Sequence, residues 1–374
     1  MGHYDAIVVG AGYAGLACAA QLAGRRVLVL ERHESVVNKQ RGCLGLHLPF
    51  GQAMEVRGED LYLQGLDLLV EGGVRARIGR VEIRGQQERV LVSLDRPLVV
   101  IDERRLKGAL LRRVREQGTE VRLQASVREI ATDGREALVR ADEEHRARIL
   151  VGADGAHSLV ARRLMPRREK LGLMFQREAE VDRLDLAPET LLLQLDDVSN
   201  WFSGISLGDR ALVSVVQFVT NRGVPKDLEA QLQDRIERLG AGRRLAGRSA
   251  IVRLYAPASH AVSDNLLICG DALSAFGWSS ISGALSMGTL AGRSVQRFLA
   301  GSRYALPHYE EHWREDAGQV WLERLRWSKP LLSRFKAHRV DALIRAVRGR
   351  GDRSVVGQGA LWWRLPAVLT RLFM

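Results

Sequence analysis

Residues 5–15 of the chain, DAIVVGAGYAG, decide the fold. The apolar run in the first half of this stretch predicts a buried strand, and the small apolar residues that follow predict a helix packed closely on a sheet. Between the two stand Gly10, Gly12 and Gly15. In this spacing the first glycine makes a tight turn and the second lets a phosphate approach the backbone. The third, beside Ala14, lets the helix lie near the strand, so the stretch predicts a dinucleotide-binding turn.

A second strand and an acidic residue extend this motif. Residues 26–30, RVLVL, predict the next buried strand, which is followed by Glu31 and Arg32. At that position a carboxylate can accept hydrogen bonds from both ribose hydroxyls of an adenosine, while the helix N-terminus offers N–H groups to phosphates. A chance glycine turn is the alternative for the glycines alone, and the strand, helix and acid in register argue against it. The motif by itself does not separate FAD from NAD.

Two later motifs favour FAD. Asp154 and Gly155 follow the apolar run ILVGA, and Gly270 and Asp271 follow NLLIC. Each pair alone could be a capping turn. Together with the first motif they suit one long cofactor that lies across several strand ends, with an aspartate on its ribitol hydroxyls. We therefore predict non-covalent FAD binding.

The rest of the chain predicts a second, antiparallel sheet that interrupts the first. Alternating apolar and polar residues recur at 53–100 and again at 170–260, and no phosphate-binding loop accompanies them. The predicted fold is α/β, with a discontinuous FAD-binding domain, an antiparallel-sheet substrate domain and a helical C-terminal segment. The predicted bounds are 1–52, 98–168 and 262–300 for the FAD-binding domain, 53–97 and 169–261 for the substrate domain, and 301–374 for the C-terminal segment.

In this order the three motifs resemble those of the glutathione-reductase-type FAD proteins, and more narrowly the group that contains the class A flavin monooxygenases and the geranylgeranyl reductases. The segments are YDAIVVGAGYAGLACAAQL, ILVGADGAHSLVARRL and NLLICGDALSAFGWSSISGALSMGTLAG. KQRGC at 39–43 and VIDERRLKGALL at 100–111 are closer to the geranylgeranyl reductases. So is Ala161, where aromatic hydroxylases usually carry an arginine.

The sequence departs from this group at several positions. Glu103 stands where the group has an arginine that usually contacts FAD, with Arg104 next to it. Cys43 lies two places later than the group's cysteine, where Arg41 is found, and the proline that follows the third motif is missing, with Trp278 near its place. The resemblance implies that Gly283 and Ala284 open a helix toward the flavin. Catalytic candidates are Cys43, His47 and Trp278. Cys43 and Trp278 could instead serve packing, and His47 has no partner in the sequence that supports a catalytic role. Arg41 could face the pyrophosphate or form a surface ion pair.

The resemblance implies an FAD-dependent oxidoreductase that reduces carbon–carbon double bonds of a hydrophobic, isoprenoid-like substrate, with NAD(P)H or another electron donor. Two alternatives stay open. One is a class A monooxygenase that hydroxylates an aromatic or polyketide-like substrate, and the other is a redox-neutral cyclase or isomerase. The remaining hypothesis is a flavoprotein without catalytic activity. No second GxGxxG marks a site for the donor, and class A enzymes bind NAD(P)H without one.

The amino-acid composition narrows the class of protein and its expected cellular location. The 374 residues are 46% hydrophobic and 27% charged, as in soluble globular proteins. Three cysteines without a CxxC pair argue against a disulfide framework and a zinc site, and favour a reducing cytosol. The first strand begins too close to the N-terminus to leave room for a signal peptide, and no apolar run reaches the ~20 residues that span a bilayer. We expect a cytoplasmic protein without a metal or nucleic-acid partner.

The C-terminal segment is the most basic part of the chain. Residues 301–374 hold 14 Lys and Arg against seven Asp and Glu, which is +7 of the net charge of +12. Trp362 and Trp363 lie near its end. Aromatic and basic residues together suit peripheral contact with the inner face of a membrane. The alternative is a set of helices packed on the FAD-binding domain with a solvated basic face.

Overall fold

The first strand of the chain, β1 (Gly2–Val9), lies in the middle of a mixed sheet. β1 pairs in parallel with β2 (Val27–Leu30) on one side and with β12 (Glu144–Gly152) on the other, and Ile7 and Val8 are fully buried. The computed structural model describes residues 2–38, 46–47, 53–197, 200–219, 227–255, 258–273, 280–316, 337–348 and 355–357. The other strands of this first sheet are β2 (Val27–Leu30), β9 (Glu120–Arg122), β10 (Glu129–Thr132), β11 (Ala137–Arg140), β12 (Glu144–Gly152), β18 (Val262–Ser263) and β19 (Leu266–Ile268).

Five strands of the first sheet are parallel, in the order β9-β2-β1-β12-β19. Their carboxyl ends therefore meet at one edge. The three predicted motifs follow the ends of β1, β2, β12 and β19, so the strand order brings all of them to that edge. β10 and β11 form an antiparallel extension against the beginning of β12. Ligands of such open sheets bind at the carboxyl ends of the strands, where the strand order reverses.

Helix α1 (Tyr13–Ala20) begins at Gly12 and is buried along its whole length. Its small side chains allow helix α5 (Ser280–Leu299) to pack against it, with Gly288 next to the backbone of Ala14. Helix α2 (Glu103–Glu116) is capped by Asp102, whose carboxylate accepts hydrogen bonds from the N–H groups of Arg104 and Arg105, both at 3.0 Å. The short helix α3 (Leu159–Leu164) follows the second motif.

Nine strands form the second sheet in the described part of the chain, and helix α4 (Leu228–Arg238) packs on one of its faces. Leu232 and Ile236 of α4 pack on Val213 and Val215 of the sheet. The strands are β3 (Leu46–His47), β7 (Val74–Arg84), β8 (Arg89–Ile101), β13 (Lys170–Val181), β14 (Thr190–Asp197), β15 (Asn200–Ser206), β16 (Ala211–Val219), β17 (Arg244–Tyr255) and β20 (Val355–Gly357).

Residues 53–70, which the sequence assigns to the substrate domain, pack with the first sheet instead. They form a separate three-stranded sheet of β4 (Glu55–Arg57), β5 (Asp60–Leu63) and β6 (Leu68–Val70). Leu61 and Leu63 are buried in the same cluster as β1 and α1. Alternation of apolar and polar residues identifies a strand but not the sheet that the strand joins, which explains the difference.

Two helices of the C-terminal segment are described, α6 (Ala305–Asp316) and α7 (Ala337–Arg348). Val340 and Ile344 of α7 are buried against the hairpin of β7 and β8, and the Asp341 carboxylate accepts hydrogen bonds from the N–H groups of Gln87 and Glu88. This part of the segment therefore packs on the second sheet. Among the residues that the structure describes, no helix is both long and apolar enough to cross a membrane.

Candidate functional site: a cleft at the carboxyl edge of the first sheet

The glycines of the first motif are required by close backbone contacts. Gly10 has a φ of +100°, and a Cβ there would lie 2.5 Å from the carbonyl oxygen of Ala153. A Cβ on Gly15 would lie 1.9 Å from the carbonyl oxygen of Gly10. No other residue fits these two positions without moving the strand ends. The turn leaves the first N–H groups of α1 at the edge of a cleft of about 250 Å³ that Gly10, Gly12 and Tyr13 line.

Glu31 lies on the same cleft, directly after β2. Its side chain is almost fully buried, and its carboxylate oxygens accept hydrogen bonds from Ala11 N at 2.9 Å and from His33 N at 3.0 Å. These two bonds hold the carboxylate beside the glycine turn, and each oxygen keeps further acceptor capacity. Arg32 is exposed at the rim of the cleft. The position suits the ribose contact that the sequence predicts for Glu31.

Asp154 contributes an unsatisfied acceptor to the cleft. Its Oδ2 accepts a hydrogen bond from Leu159 N at 2.7 Å, while its Oδ1 is buried and has no hydrogen-bond partner among the described residues. Burial raises the pKa of this carboxyl group. Gly155 follows with a φ of +81° and turns the chain into α3. A buried acceptor without a donor is costly unless a ligand hydroxyl completes it, so Asp154 fits a polyhydroxylated cofactor.

The third motif reaches the same region by packing on α1. Gly270–Ala272 form a short 3-10 turn after β19, and Gly270 has a φ of +64°, with the side chain of Ala14 where its own Cβ would stand. The Arg168 guanidinium donates to the carbonyl oxygens of Ala272 and Leu273, at 2.8 and 2.7 Å. Asp271 therefore lies next to the first turn of α1. Sequence reasoning missed Arg168, because its two acceptors are backbone atoms more than 100 residues away.

Gly283 and Ala284 lie near the start of α5, which begins at Ser280 rather than at the predicted Gly283. Ala284 is buried, and the same helix passes the Ala14 carbonyl at Gly288. The start of α5 is thus tied to α1 and to the third motif. That this helix start faces the flavin stays a prediction.

Several cations line the cleft that sequence reasoning did not single out. Lys107 comes from α2, Arg128 from the segment before β10, and Arg162 from α3, with His157 nearby. Together with Arg32 they outnumber the two carboxylates of the cleft, Glu31 and Asp154. An excess of positive charge beside a helix N-terminus suits a diphosphate. Of these cations, only Lys107 has a spacing along a helix that could have indicated its position from the sequence. The other cations come from separate elements of the fold.

A second cleft, of about 430 Å³, lies between the start of α2 and the second sheet. Its acidic residues are paired: Glu178 with Arg248, and Glu180 with both Arg75 and Arg210. Arg104 also lines this cleft, and its guanidinium has no acidic partner in the described part of the chain. Asp102 and Glu103 line the same cleft, so its described lining holds four arginines and four carboxylates and the charges balance.

Four predicted site residues cannot be placed in this way. Arg41, Cys43 and Trp278 lie outside the described residues. His47 belongs to β3, where it pairs with Val99 of β8, and its side chain is not described. Their predicted roles stay predictions.

A glycine turn, a strand-end carboxylate and two further strand-end aspartates meet on one parallel edge. This is the arrangement that the sequence predicts for FAD binding. Residues 3–188 match the family described as FAD binding domain. This match, over just under half of the chain, supports FAD as the cofactor and an FAD-dependent enzyme. The resemblance stated from the sequence is thereby confirmed. No curated protein sequence matches the chain.

Solved structures share this fold over the length of the chain. A geranylgeranyl bacteriochlorophyll reductase-like protein from Thermoplasma acidophilum is 17% identical, with a TM-score of 0.78 and coverage of 100% of this chain and 99% of that one. The p-nitrophenol 4-monooxygenase from Pseudomonas putida DLL-E4 is 16% identical, with a TM-score of 0.68 and coverage of 99% and 98%. A flavin-dependent monooxygenase solved with FAD and substrate is 16% identical, with a TM-score of 0.67 and coverage of 98% and 72%. At these identities the likeness concerns the fold.

Proposed function

We propose that the protein reduces carbon–carbon double bonds of a long, apolar, isoprenoid-like substrate, with electrons from NAD(P)H or another donor. The observation that carries this proposal is the end-to-end likeness to the reductase-like fold, which is higher in TM-score than the likeness to the two monooxygenases. The reductase-like residues at 39–43, 100–111 and 161 support the same choice. When bound, FAD supplies the hydride-transfer chemistry.

The residues of the chain would bind and orient the cofactor. Glu31 would hold the adenosine ribose, and the N–H groups at the start of α1 would bind the pyrophosphate. Asp154 would accept a hydrogen bond from a cofactor hydroxyl at its unsatisfied Oδ1, and Asp271 would bind the ribitol chain from the adjacent turn. The packing of α5 on α1 would fix the distance between these groups.

The second cleft would receive the polar end of the substrate or of the electron donor. Arg104, whose guanidinium has no acidic partner among the described residues, suits an anionic group. Val100 and Leu212 form an apolar wall of the same cleft and continue into a buried apolar cluster of the second sheet, which suits an apolar chain. An amphipathic substrate with an anionic end would satisfy both.

Reduced protein under argon provides the test. We expect long polyprenyl compounds to reoxidise the reduced flavin without oxygen, with a product that has gained two hydrogen atoms by mass spectrometry. Short phenols should not do so. The control is protein freed of FAD, which should give no product.

Two results would reject the proposal. Flavin reoxidation that requires oxygen, with a product that has gained one oxygen atom, would make the protein a monooxygenase. Product formation with the same mass as the substrate and no net flavin oxidation would make it a cyclase or isomerase. Comparison of NAD(P)H with dithionite as the reductant identifies the donor in the same experiment.

A further inference from the structure

An ion pair is buried at the start of α2, beside the phosphate-binding turn. Glu103 and Lys107 lie one helical turn apart, and the Lys107 ammonium is 3.5 Å from Oε2 of Glu103. Both side chains are about 95% buried. The hydroxyl of Tyr13 donates to the same Oε2 at 2.8 Å, and the Lys107 ammonium lies 4.8 Å from the centre of the Tyr13 ring. Tyr13 is the first residue of α1, so this cluster is attached to the turn itself.

The charge of Glu103 poses a problem for a diphosphate-binding site. The resemblance leads one to expect an arginine at this position, and an unpaired carboxylate so close to a diphosphate would repel it. Lys107 resolves the conflict because it neutralises Glu103 and also lines the cleft with Gly10, Gly12 and Tyr13. Tyr13 and Lys107 both contact the Glu103 carboxylate, and Lys107 is the residue of the ion pair that lines this cleft.

We propose that Lys107 supplies the cationic contact to the FAD pyrophosphate, and that Glu103 and Tyr13 are positioning residues that hold its ammonium at the first turn of α1. The positive charge that the related proteins place at the start of this helix is thus moved one turn along it. The α-helix permits the exchange, because residues four apart lie on the same face. The exposed cations of the cleft, Arg128 and Arg162, cannot replace it at equal strength, since solvent screens them.

The test uses a double variant that removes both charges of the pair. Glu103→Gln/Lys107→Met keeps an acceptor for the Tyr13 hydroxyl and the volume of the lysine stem, so the fold is expected to persist. Lys107→Met alone would leave a buried carboxylate without its cation and could unfold the protein. Lys107→Arg keeps the charge, and Lys170→Met changes an exposed lysine as the matched control.

Binding is measured on protein freed of FAD, by titration with FAD, ADP and adenosine. ADP and FAD contain the diphosphate and adenosine does not. We expect the double variant to raise the Kd of FAD and of ADP about tenfold or more, the usual effect of losing a charge-assisted hydrogen bond, and to leave the Kd of adenosine unchanged. Lys107→Arg should recover most of the affinity, and Lys170→Met should retain all of it.

The melting temperature of the FAD-free protein is recorded for each variant, so that binding and folding are separated. Unchanged Kd values for FAD and ADP in a folded double variant would overturn the proposal. An equal loss for adenosine and ADP would also overturn it, because it would place Lys107 in the structure of the cleft rather than on the diphosphate.

Discussion

The Glu31 carboxylate accepts hydrogen bonds from two backbone N–H groups and also faces the cleft. It therefore serves both the local backbone structure and the predicted ribose contact. Replacement by alanine would remove both, so glutamine is the sharper probe of the ribose contact. We expect Glu31→Gln to weaken FAD binding by about 1.5–3 kcal/mol, since an ionised acceptor of ribose hydroxyls is lost, which is about tenfold or more in Kd. Fluorescence titration of FAD-free protein measures it. An unchanged Kd would show that Glu31 does not hold the ribose.

Asp154 should make the FAD-free protein less stable as the pH rises. Burial raises the pKa of this carboxyl in the folded state above its ordinary value. The folded protein then binds this proton more tightly than the unfolded chain, so the contribution of Asp154 to the free energy of unfolding is greatest below the unfolded pKa of ~3.9 and is lost as the pH rises through the folded pKa. Urea unfolding of wild type and Asp154→Asn between acidic and neutral pH measures this slope.

The Asp154→Asn variant should lose that part of the pH dependence, and bound FAD should reduce it in the wild type by donating to Oδ1. Equal slopes for the wild type and the variant without FAD would mean that Asp154 does not titrate in this range.

The buried cysteines should be inert while the protein is folded. Cys18 and Cys269 are fully buried, and burial raises the pKa of the Cys18 thiol to about 12 and that of Cys269 well above its ordinary value. Because the thiolate is the reactive form, neither should react at neutral pH. In a Cys43→Ser variant we expect no reaction with a disulfide reagent until urea is added, and then two thiols. A fast reaction of the folded variant with the reagent would contradict the burial of Cys18 and Cys269.

At the element scale, the contact between α1 and α5 depends on glycines. A Cβ on Gly288 would lie 2.2 Å from the Ala14 carbonyl oxygen, which backbone hydrogen bonds hold in place. Gly108 in α2 offers a matched control, since the nearest atom to its Cβ would be the end of the Arg112 side chain at 3.5 Å.

We expect Gly288→Ala to lower the melting temperature and weaken FAD binding, because overpacking costs about 1–3 kcal/mol and shifts α5 from the third motif. Gly108→Ala should raise the melting temperature, because alanine favours a helix interior by about 1 kcal/mol over glycine. Differential scanning fluorimetry with and without FAD measures both. If Gly288→Ala were as stable as Gly108→Ala, the two helices would not be in contact at this position.

In the whole molecule, one part of the C-terminal segment packs on the second sheet and another part lies outside the described residues. α7 is docked on the second sheet, and Arg345 and Arg348 of this helix are paired with Glu88, so these charges are not free for a membrane. β20 pairs with β8 as far as Gly357. The membrane contact that the sequence predicts must therefore come from the rest of the segment, including Trp362 and Trp363, which lie outside the described residues.

We expect the full chain to co-sediment with anionic vesicles at low salt and to be released by salt, since each basic residue near such a surface contributes about 1 kcal/mol. A chain ending at Gly357 keeps α7 and β20. It should bind the vesicles less strongly and hold FAD unchanged. Neutral vesicles are the control for charge. Equal sedimentation of the two chains would show that the residues after Gly357 do not contribute to membrane binding. No sedimentation of either chain would favour a C-terminal segment that is fully packed on the protein.

Local patterns in the sequence were enough to predict the parallel strands, the glycine turn, the strand-end positions of Glu31 and Asp154, and the presence of a second sheet. These features depend on neighbours in the chain: a tight turn requires glycine at Gly10, a helix requires a cap, and a buried strand requires a run of apolar residues. Such requirements can be recognised in a short window of sequence.

Only the tertiary structure decided which groups meet. It placed 53–70 against the first sheet, set Arg168 on the third motif, docked α7 on the second sheet and brought Lys107 to the glycine turn beside Glu103. In each case the partners are distant in sequence or leave no periodic pattern. The physical reason is that strand order and helix packing join residues through space, while propensity and spacing act only along the chain.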